Sequence, residues 1–313
     1  MPMAIPSFPE FTPLTIELKD EVYTRLSRTP DGVSEFTFGG LYLFRERYQY
    51  SVSRLVGKTL IISGIQPPHA PEEEAKKFFM TPCAAPGRGI LDELFRTHGF
   101  WKNIPESIII PERVHLEELG IEITEDRDNF DYLYLKSDLA ELPGKKFHKK
   151  RNLVAQFLKA YAHEEKPLTP DLVSAAIEVL EEWKADKEAE GDYKACREAL
   201  LHFEDLNMQG LLFYVDGKPA GWCLGEPIAW GRIFTVHFEK GLEKYKGIYQ
   251  HINKTFAASL PEHITHINRE QDLGDEGMRQ AKMTYRPSGF VRKYTGQKSS
   301  IFATEGLGSC QNR

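Results

Sequence analysis

The 313-residue sequence is short of cysteine and of the motifs that mark the commoner chemistries. Its four cysteines, Cys83, Cys196, Cys223 and Cys310, lie far apart, and none forms a C-x-x-C pair that could clamp zinc or cycle redox. They read as reduced structural thiols. The ten histidines include no H-E-x-x-H, and His263 and His266 have no acid or thiol at ligand spacing, so no metal site is expected. Neither a G-x-S-x-G elbow nor a G-x-x-x-x-G-K-[ST] loop occurs, which sets aside α/β-hydrolases and P-loop enzymes. Long apolar runs are missing too. Leu211 to Val215 and Ile108 to Ile110 fall far below the roughly 18 residues needed to span a bilayer, and no transmembrane segment is expected. The opening MPMAIPSFPEF has no basic stretch followed by an apolar one, so the expected location is cytoplasmic rather than secreted. Positive charge is in deficit: 40 Lys and Arg against 46 Asp and Glu leave a net charge of −6, which disfavours a general nucleic-acid coat but permits a local basic patch.

What is present is the composition of a folded globular chain, 41% hydrophobic and 27% charged. The length predicts two domains or one large one. Periodicity places two helices near 16–27 and 34–46, then strands at YSVSRLV, TLIISGI and KFFMT, an antiparallel meander. PGRG at Pro86 to Gly89 opens a helix to His98; SIIIP reads as a strand ending at Pro111; a short helix reaches Gly120; and the strands IEIT and FDYLYL follow. From Lys145 the same order returns: a helix to Tyr161, helical segments from Pro170 to about Asn207, then the strands LLFYV, AGWCLGE and RIFTVHFE. Asp216-Gly217 between the first two is a tight-hairpin dipeptide, because glycine accepts positive φ without cost. A helix from Gly247 to Leu260, the strand HITHINR, a helix from about Asp275 to Thr284 and a strand near Phe290 to Tyr294 complete the chain. The halves match in architecture, with no visible sequence identity between them.

Three strands, a helix opened by a glycine turn, a strand and a short helix make the core of the GNAT acyltransferase fold. LAELPGKKFHKKRNLVAQF, VHFEKGLEKYKGIYQHIN and INREQDLGDEGMRQAKMTYRP resemble the family of phosphatidylglycerol lysyltransferase C-terminal domains. That family is tandem GNAT-like and akin in fold to the aminoacyl-transferring enzymes of peptidoglycan cross-bridges. The likeness runs from about Phe36 to Lys298. It implies an α+β chain of two GNAT-like domains, each a mixed central sheet flanked by helices, over residues 1–138 and 139–298, with 299–313 as a flexible tail. It also implies an acyl or aminoacyl transferase with no tightly bound cofactor. Aminoacyl-tRNA is slightly favoured as co-substrate over acyl-CoA, and a catalytically silent nucleotide- or RNA-binding module is the alternative. The lysyltransferases proper carry a membrane region that is not among these residues, so the acceptor stays open among small molecule, lipid and peptide.

Candidate residues fall in three groups. The basic run Lys145, Lys146, Lys149, Lys150 and Arg151 opens a helix, where the macrodipole would prefer acids. It is either a solvated face or a phosphate clamp for the donor, with Asn152 beside it and Gly247 at a later helix start. Helical spacing puts Lys145, Lys149, Asn152 and Gln156 on one face and Phe147, Val154, Leu158 and Tyr161 on the opposite one. RIFTVHFE takes, by the resemblance, the place of the GNAT strand whose edge opens to the donor. On it His237 and Glu239 share a face, with Glu226 across the meander, and each is either an ordinary strand-end polar residue or part of a site that binds and deprotonates an amine. After this strand the sequence EKGLEKYKGIY lacks the compact glycine spacing of a coenzyme A loop. The densest polar string is Asn268, Arg269, Glu270, Gln271 and Asp272. Either Asp272 or Asp275 caps a helix, or Asn268, Arg269 and Gln271 face the cleft with Glu270 or Asp272 as base. Tyr285 in AKMTYRPSGF is similar to the GNAT tyrosine that protonates a leaving thiolate, or else packs in the core with its hydroxyl satisfied. Lys282 and Lys293 resemble the basic C-terminus of the lysyltransferases and are expected to bind substrate.

Overall fold

The computed structural model describes residues 4–27, 29–55, 59–68, 72–185 and 191–299. The chain divides into two compact units, residues 1–130 with 291–313, and residues 131–290.

The first unit contains β1 (Thr12–Pro13), α1 (Lys19–Leu26), α2 (Phe38–Leu43), α3 (Arg45–Tyr48), β2 (Ser51–Arg54), β3 (Leu60–Gln66) and β4 (Lys76–Met80). It continues through α4 (Arg88–Thr97), β5 (Phe100–Pro105), α5 (Glu106–Glu118) and β6 (Ile121–Glu125). The second runs through β7 (Asp131–Leu135), α6 (Lys136–Glu141), α7 (His148–Ala160), β8 (His163–Pro167), α8 (Val173–Ala185), α9 (Tyr193–His202) and β9 (Gln209–Val215). There follow β10 (Lys218–Ile228), β11 (Ile233–Gly241), α10 (Ile248–Ser259), β12 (His266–Asn268), α11 (Glu276–Met283) and, at the division, β13 (Gly289–Val291). The chain then returns to the first sheet as β14 (Lys293–Lys298).

Each unit is built on a seven-stranded mixed sheet, ordered β1-β2-β3-β4-β5-β14-β6 and β13-β7-β12-β11-β10-β9-β8. Within each, an antiparallel meander ends in one parallel pair, β4 with β5 and β11 with β12. The break expected at 138/139 falls inside α6, because β7 pairs with β12 and carries the residues from Asp131 onward into the second sheet. Two element expectations also shift. SIIIP belongs to helix α5, with Ile108 and Ile109 buried and Ile110 76% exposed, a helical pattern that overrides the strand preference of an isoleucine run. The strand lies just before it, as β5. The final strand expected near 290–294 is two strands, β13 and β14, serving different sheets. The tail from residue 300, with Cys310, lies outside the described residues.

The packing that fixes the second unit is amphipathic. Ile248, Ile252 and Phe256 recur along one face of α10 and pack with Phe213, Phe234 and Val236 of the sheet and Phe157 of α7. Burying each such side chain is worth roughly 1.5–3 kcal/mol. The β9–β10 hairpin turns at Asp216 (φ 50°) and Gly217 (φ 75°), the left-handed pair that an Asp-Gly turn supplies.

Candidate functional site

The site begins with an irregularity in β11. Leu224 pairs with Phe238 and the next residue, Gly225, with Val236, so His237 is an extra residue on β11, a β-bulge. Gly225 permits it: a Cβ there would stand 1.9 Å from the Thr235 carbonyl oxygen. On its other side β11 runs parallel to β12 only through Thr235 opposite Asn268, where β12 ends. From Val236 to Gly241 that edge of β11 has no strand partner among the described residues.

Polar side chains crowd this parting. His237, 4% exposed, lies between two carboxylates, with Nδ1 2.7 Å from Glu270 Oε1 and Nε2 3.1 Å from Glu226 Oε1. Burial alone would lower the affinity of the imidazole for a proton, but its hydrogen bonds to Glu226 and Glu270 outweigh that and raise its pKa to about 10. His237 is therefore an imidazolium at neutral pH, both ring N–H groups donating, and serves as a clamp rather than a base. Glu226 is buried beneath it. Glu270, 29% exposed, is the accessible carboxylate of this trio.

Glu239 is held from two sides. Asn253 Nδ2 of α10 donates to both its oxygens at 2.8 and 2.9 Å, and Arg269 donates to Oε1 at 3.2 Å. Burial raises the Glu239 pKa against the pull of Arg269. The Arg269 guanidinium also lies 5.5 Å from the centre of the Tyr285 ring. Burial pushes the Tyr285 phenol up to about 12, and its hydroxyl, beside Gln250 and Arg269, completes no hydrogen bond of normal geometry.

The loop that carries Arg269 and Glu270 is braced from below. Asn268 Oδ1 accepts the Glu270 N–H at 2.7 Å while its amide donates to Asp131 Oδ2 at 3.1 Å, which holds Glu270 at φ 54°. The Lys282 ammonium donates to the carbonyls of Arg269, Glu270 and Gln271, and burial lowers its pKa to about 8. Asp272, fully buried, accepts from Tyr132 Oη (2.5 Å), from Arg279 Nε and Nη2 (2.9 Å each) and from the Gly274 N–H (3.0 Å). Although burial opposes ionisation, these donors hold its carboxyl well below the usual carboxylate range. An acid so saturated is a brace and cannot be expected to take a proton. Asp275 supplies the helix cap, accepting the Met278 N–H at 2.7 Å.

The structure thus brings together Glu226, His237, Glu239, Asn268, Arg269, Glu270, Gln271, Asp272, Lys282 and Tyr285 in the second unit. Lys293 is not among them. It lies fully buried on β14 of the first unit, 2.5 Å from Glu35 Oε2, because the chain leaves the second sheet after β13. Within the basic run, Lys146 pairs with Asp138 at 2.6 Å, Arg151 donates to the Leu142 and Gly144 carbonyls, and Asn152 lies 3.4 Å from His148. Lys145 and Lys149 are exposed. Gly247 (φ 91°) starts α10, and a Cβ there would meet the Leu153 carbonyl oxygen at 2.5 Å, so close helix packing explains that glycine.

Two further side chains belong to this region. Asn253 gives its signal as an amide on the buried face of an amphipathic helix. Lys150 lies on the buried stripe of α7 with Val154, Phe157 and Tyr161, spaced by four, three and four residues, and its ammonium sits 3.8 Å over the Tyr285 ring. Phe147 and Val154 are buried as expected, but along that face Phe157 is buried where Leu158 is expected to be.

The family model for the C-terminal region of phosphatidylglycerol lysyltransferase matches residues 27–296. A conserved protein of unknown function from Bacteroides thetaiotaomicron is 30% identical, over 92% of this chain and 99% of its own, with a TM-score of 0.79. L-PGS from Bacillus licheniformis shares the fold at 12% identity and a TM-score of 0.54, over 82% of this chain and 90% of its own. FemX does so at 9% identity and a TM-score of 0.56, over 95% and 99%. No curated protein sequence matches the chain, and none of the helices among the described residues is long and apolar enough to cross a membrane.

Proposed function

We propose that this chain, which belongs to the phosphatidylglycerol lysyltransferase C-terminal family, moves an aminoacyl group from aminoacyl-tRNA to an amine or hydroxyl acceptor. Family membership supports acyl or aminoacyl transfer as the general activity. The observation that carries the proposal further is the accessible Glu270 carboxylate, one oxygen taken by the His237 imidazolium, beside the unpaired edge of β11. An acceptor amine or hydroxyl must lose a proton before it attacks an ester carbonyl, and a carboxylate within reach is the group to take it. Backbone N–H groups along β11 beyond Thr235 would stabilise the tetrahedral oxyanion, and the Glu239–Arg269 pair would orient the reactants.

An aminoacyl donor fits better than a thioester for two reasons. The end of β11 and the residues after it carry Glu239 and Glu243 and no compact glycine loop, and the one left-handed glycine there, Gly247, is explained by packing. Carboxylates at the parting also suit a group that carries an ammonium, which a plain acyl chain lacks. The test is single-turnover transfer from charged tRNA, in parallel with acyl-CoA, to a mixed pool of amines and hydroxyl acceptors, read by mass spectrometry. Transfer from charged tRNA supports the proposal. Transfer from acyl-CoA alone replaces it with a coenzyme A-dependent acyltransferase, and no transfer from either favours a silent binding module.

A further inference from the structure

We infer that Lys150, Arg269 and the Tyr285 hydroxyl form a subsite for a phosphate oxyanion of the donor; the inference rests on the transferase reading above. Lys150 is the half-buried lysine of the basic run, and no carboxylate partners it among the described residues. Lys146 has Asp138 and Arg151 has two backbone carbonyls, whereas Lys150, half-buried, meets the face of Tyr285 at 3.8 Å and, among the described residues, no acid. A second cation, Arg269, sits 5.5 Å from the centre of the same ring. Cation–π attraction offsets part of the cost of such a pairing, but a half-buried ammonium next to a guanidinium stays under-compensated. Its position adds to the imbalance, since the first turn of α7 holds His148, Lys149, Lys150 and Arg151 and no acid.

A second observation is independent of charge. Tyr285 is 7% exposed and its hydroxyl, beside Gln250 and Arg269, completes no hydrogen bond of normal geometry among the described residues, although buried polar groups are nearly always paired. A point charge and a planar fork 3.8 and 5.5 Å from the centre of one ring, together with that ring's hydroxyl, suit a tetrahedral oxyanion with several acceptor oxygens. Burial and the neighbouring Arg269 also lower the Lys150 pKa to about 8, as expected of an ammonium still waiting for its counter-ion. The phosphate could be that of a 3′-terminal nucleotide or that of a phosphopantetheine arm.

Calorimetric titration with AMP, adenosine, 4′-phosphopantetheine and pantetheine separates these sources. The wild-type protein is expected to bind AMP at least tenfold more tightly than adenosine, consistent with charge-assisted hydrogen bonds. Lys150→Gln should abolish that preference, Lys150→Arg should keep most of it, and Tyr285→Phe should reduce it several-fold. Lys159→Gln, an exposed lysine in the last turn of the same helix, should leave it unchanged. Melting curves check that each variant folds. If the Lys150-dependent preference belongs to 4′-phosphopantetheine instead, the subsite stands and the aminoacyl-tRNA reading falls. Should neither phosphorylated probe exceed its dephosphorylated partner, or should Lys150→Gln retain the preference, the subsite is refuted, even if transfer from charged tRNA proceeds.

Discussion

In both units a strand runs parallel to its neighbour for a few residues and then parts from it, yet the side chains at the two partings differ. In the second unit Thr235 opposes Asn268, and the residues around that point are Glu226, His237, Glu239, Arg269 and Glu270. Continuing the register of the first unit from Phe79 opposite Trp101 brings Thr81 opposite Asn103, the same pair of residue types. There the neighbours are apolar: Met80 Sδ is 3.5 Å from the Asn103 amide, and Trp101, Ile104 and Phe79 fill the core. Buried charges do occur in the first unit: Lys293 closes on Glu35, and Lys102 donates to Gln66. The backbone device is common to both, and the chemistry depends on what lines it.

The largest expected effect breaks the charged parting. Glu270→Gln keeps an acceptor for His237 and removes the base, so kcat for transfer should fall by about 10²–10⁴, the usual contribution of general acid–base catalysis. Because Glu270 is partly exposed, the melting temperature should stay nearly the same. A fall below tenfold would move the base to Glu239. Next in size is Asp272→Asn, which strips the charge that gathers Arg279, Tyr132 and the Gly274 N–H. Losing one partner of a buried, hydrogen-bonded ion pair costs about 3–5 kcal/mol; with Arg279 partly exposed, urea unfolding should register the lower end. Activity lost together with stability identifies a brace, and activity lost at full stability would identify a catalytic acid.

How far this contrast could be read from sequence depends on whether a residue's signal is local. Asp216-Gly217, the meander and the string Asn268 to Asp272 are local, since turn chemistry and alternation act within a few residues. Roles within the string are not local. Asp272 and Glu270 are both acids after one strand, and only the approach of Tyr132, from the start of the second sheet, and of Arg279, from α11, separates brace from working carboxylate. Likewise Lys293 reads like a substrate ligand until β14 is seen to pair with β5 and β6. Lys150 was within reach of sequence reasoning: it stands three residues after Phe147 and four before Val154, which helical spacing puts on the same face as that buried pair.

A third prediction uses pH. The folded protein holds the His237 proton to about pH 10 against an unfolded value near 6.5, so the clamp's stabilisation is complete below about pH 6.5 and is lost as pH rises toward 10. Lys150 and Lys282, both lowered to about 8, act in the opposite direction above that pH, which leaves pH 6.5–8 as the window where His237 dominates. Stability of the wild-type protein should decline across it by no more than about 1.4 kcal/mol per pH unit, the limit for one proton. His237→Gln should flatten the decline. An identical slope in both proteins would show that the imidazolium clamp is not formed.

The smallest effect sharpens the comparison most directly. The Thr81 and Thr235 hydroxyls are both buried and lack hydrogen-bond partners among the described residues. Replacing an unpaired buried hydroxyl by a methyl group of similar shape removes a desolvation cost and no contact, so Thr81→Val and Thr235→Val should each be neutral or stabilising by up to about 1 kcal/mol. Their effects on transfer should differ. Thr81 stands at a parting lined by apolar side chains, and its substitution should change kcat/KM by less than twofold. Thr235 stands where β11 leaves β12, beside the proposed oxyanion edge, and loss of one neutral hydrogen bond to substrate would lower kcat/KM about three- to tenfold. Parallel steady-state assays of the two variants decide the matter: if Thr81→Val slows transfer as much as Thr235→Val does, the first unit takes part in the reaction and the division of labour drawn between the two partings is wrong.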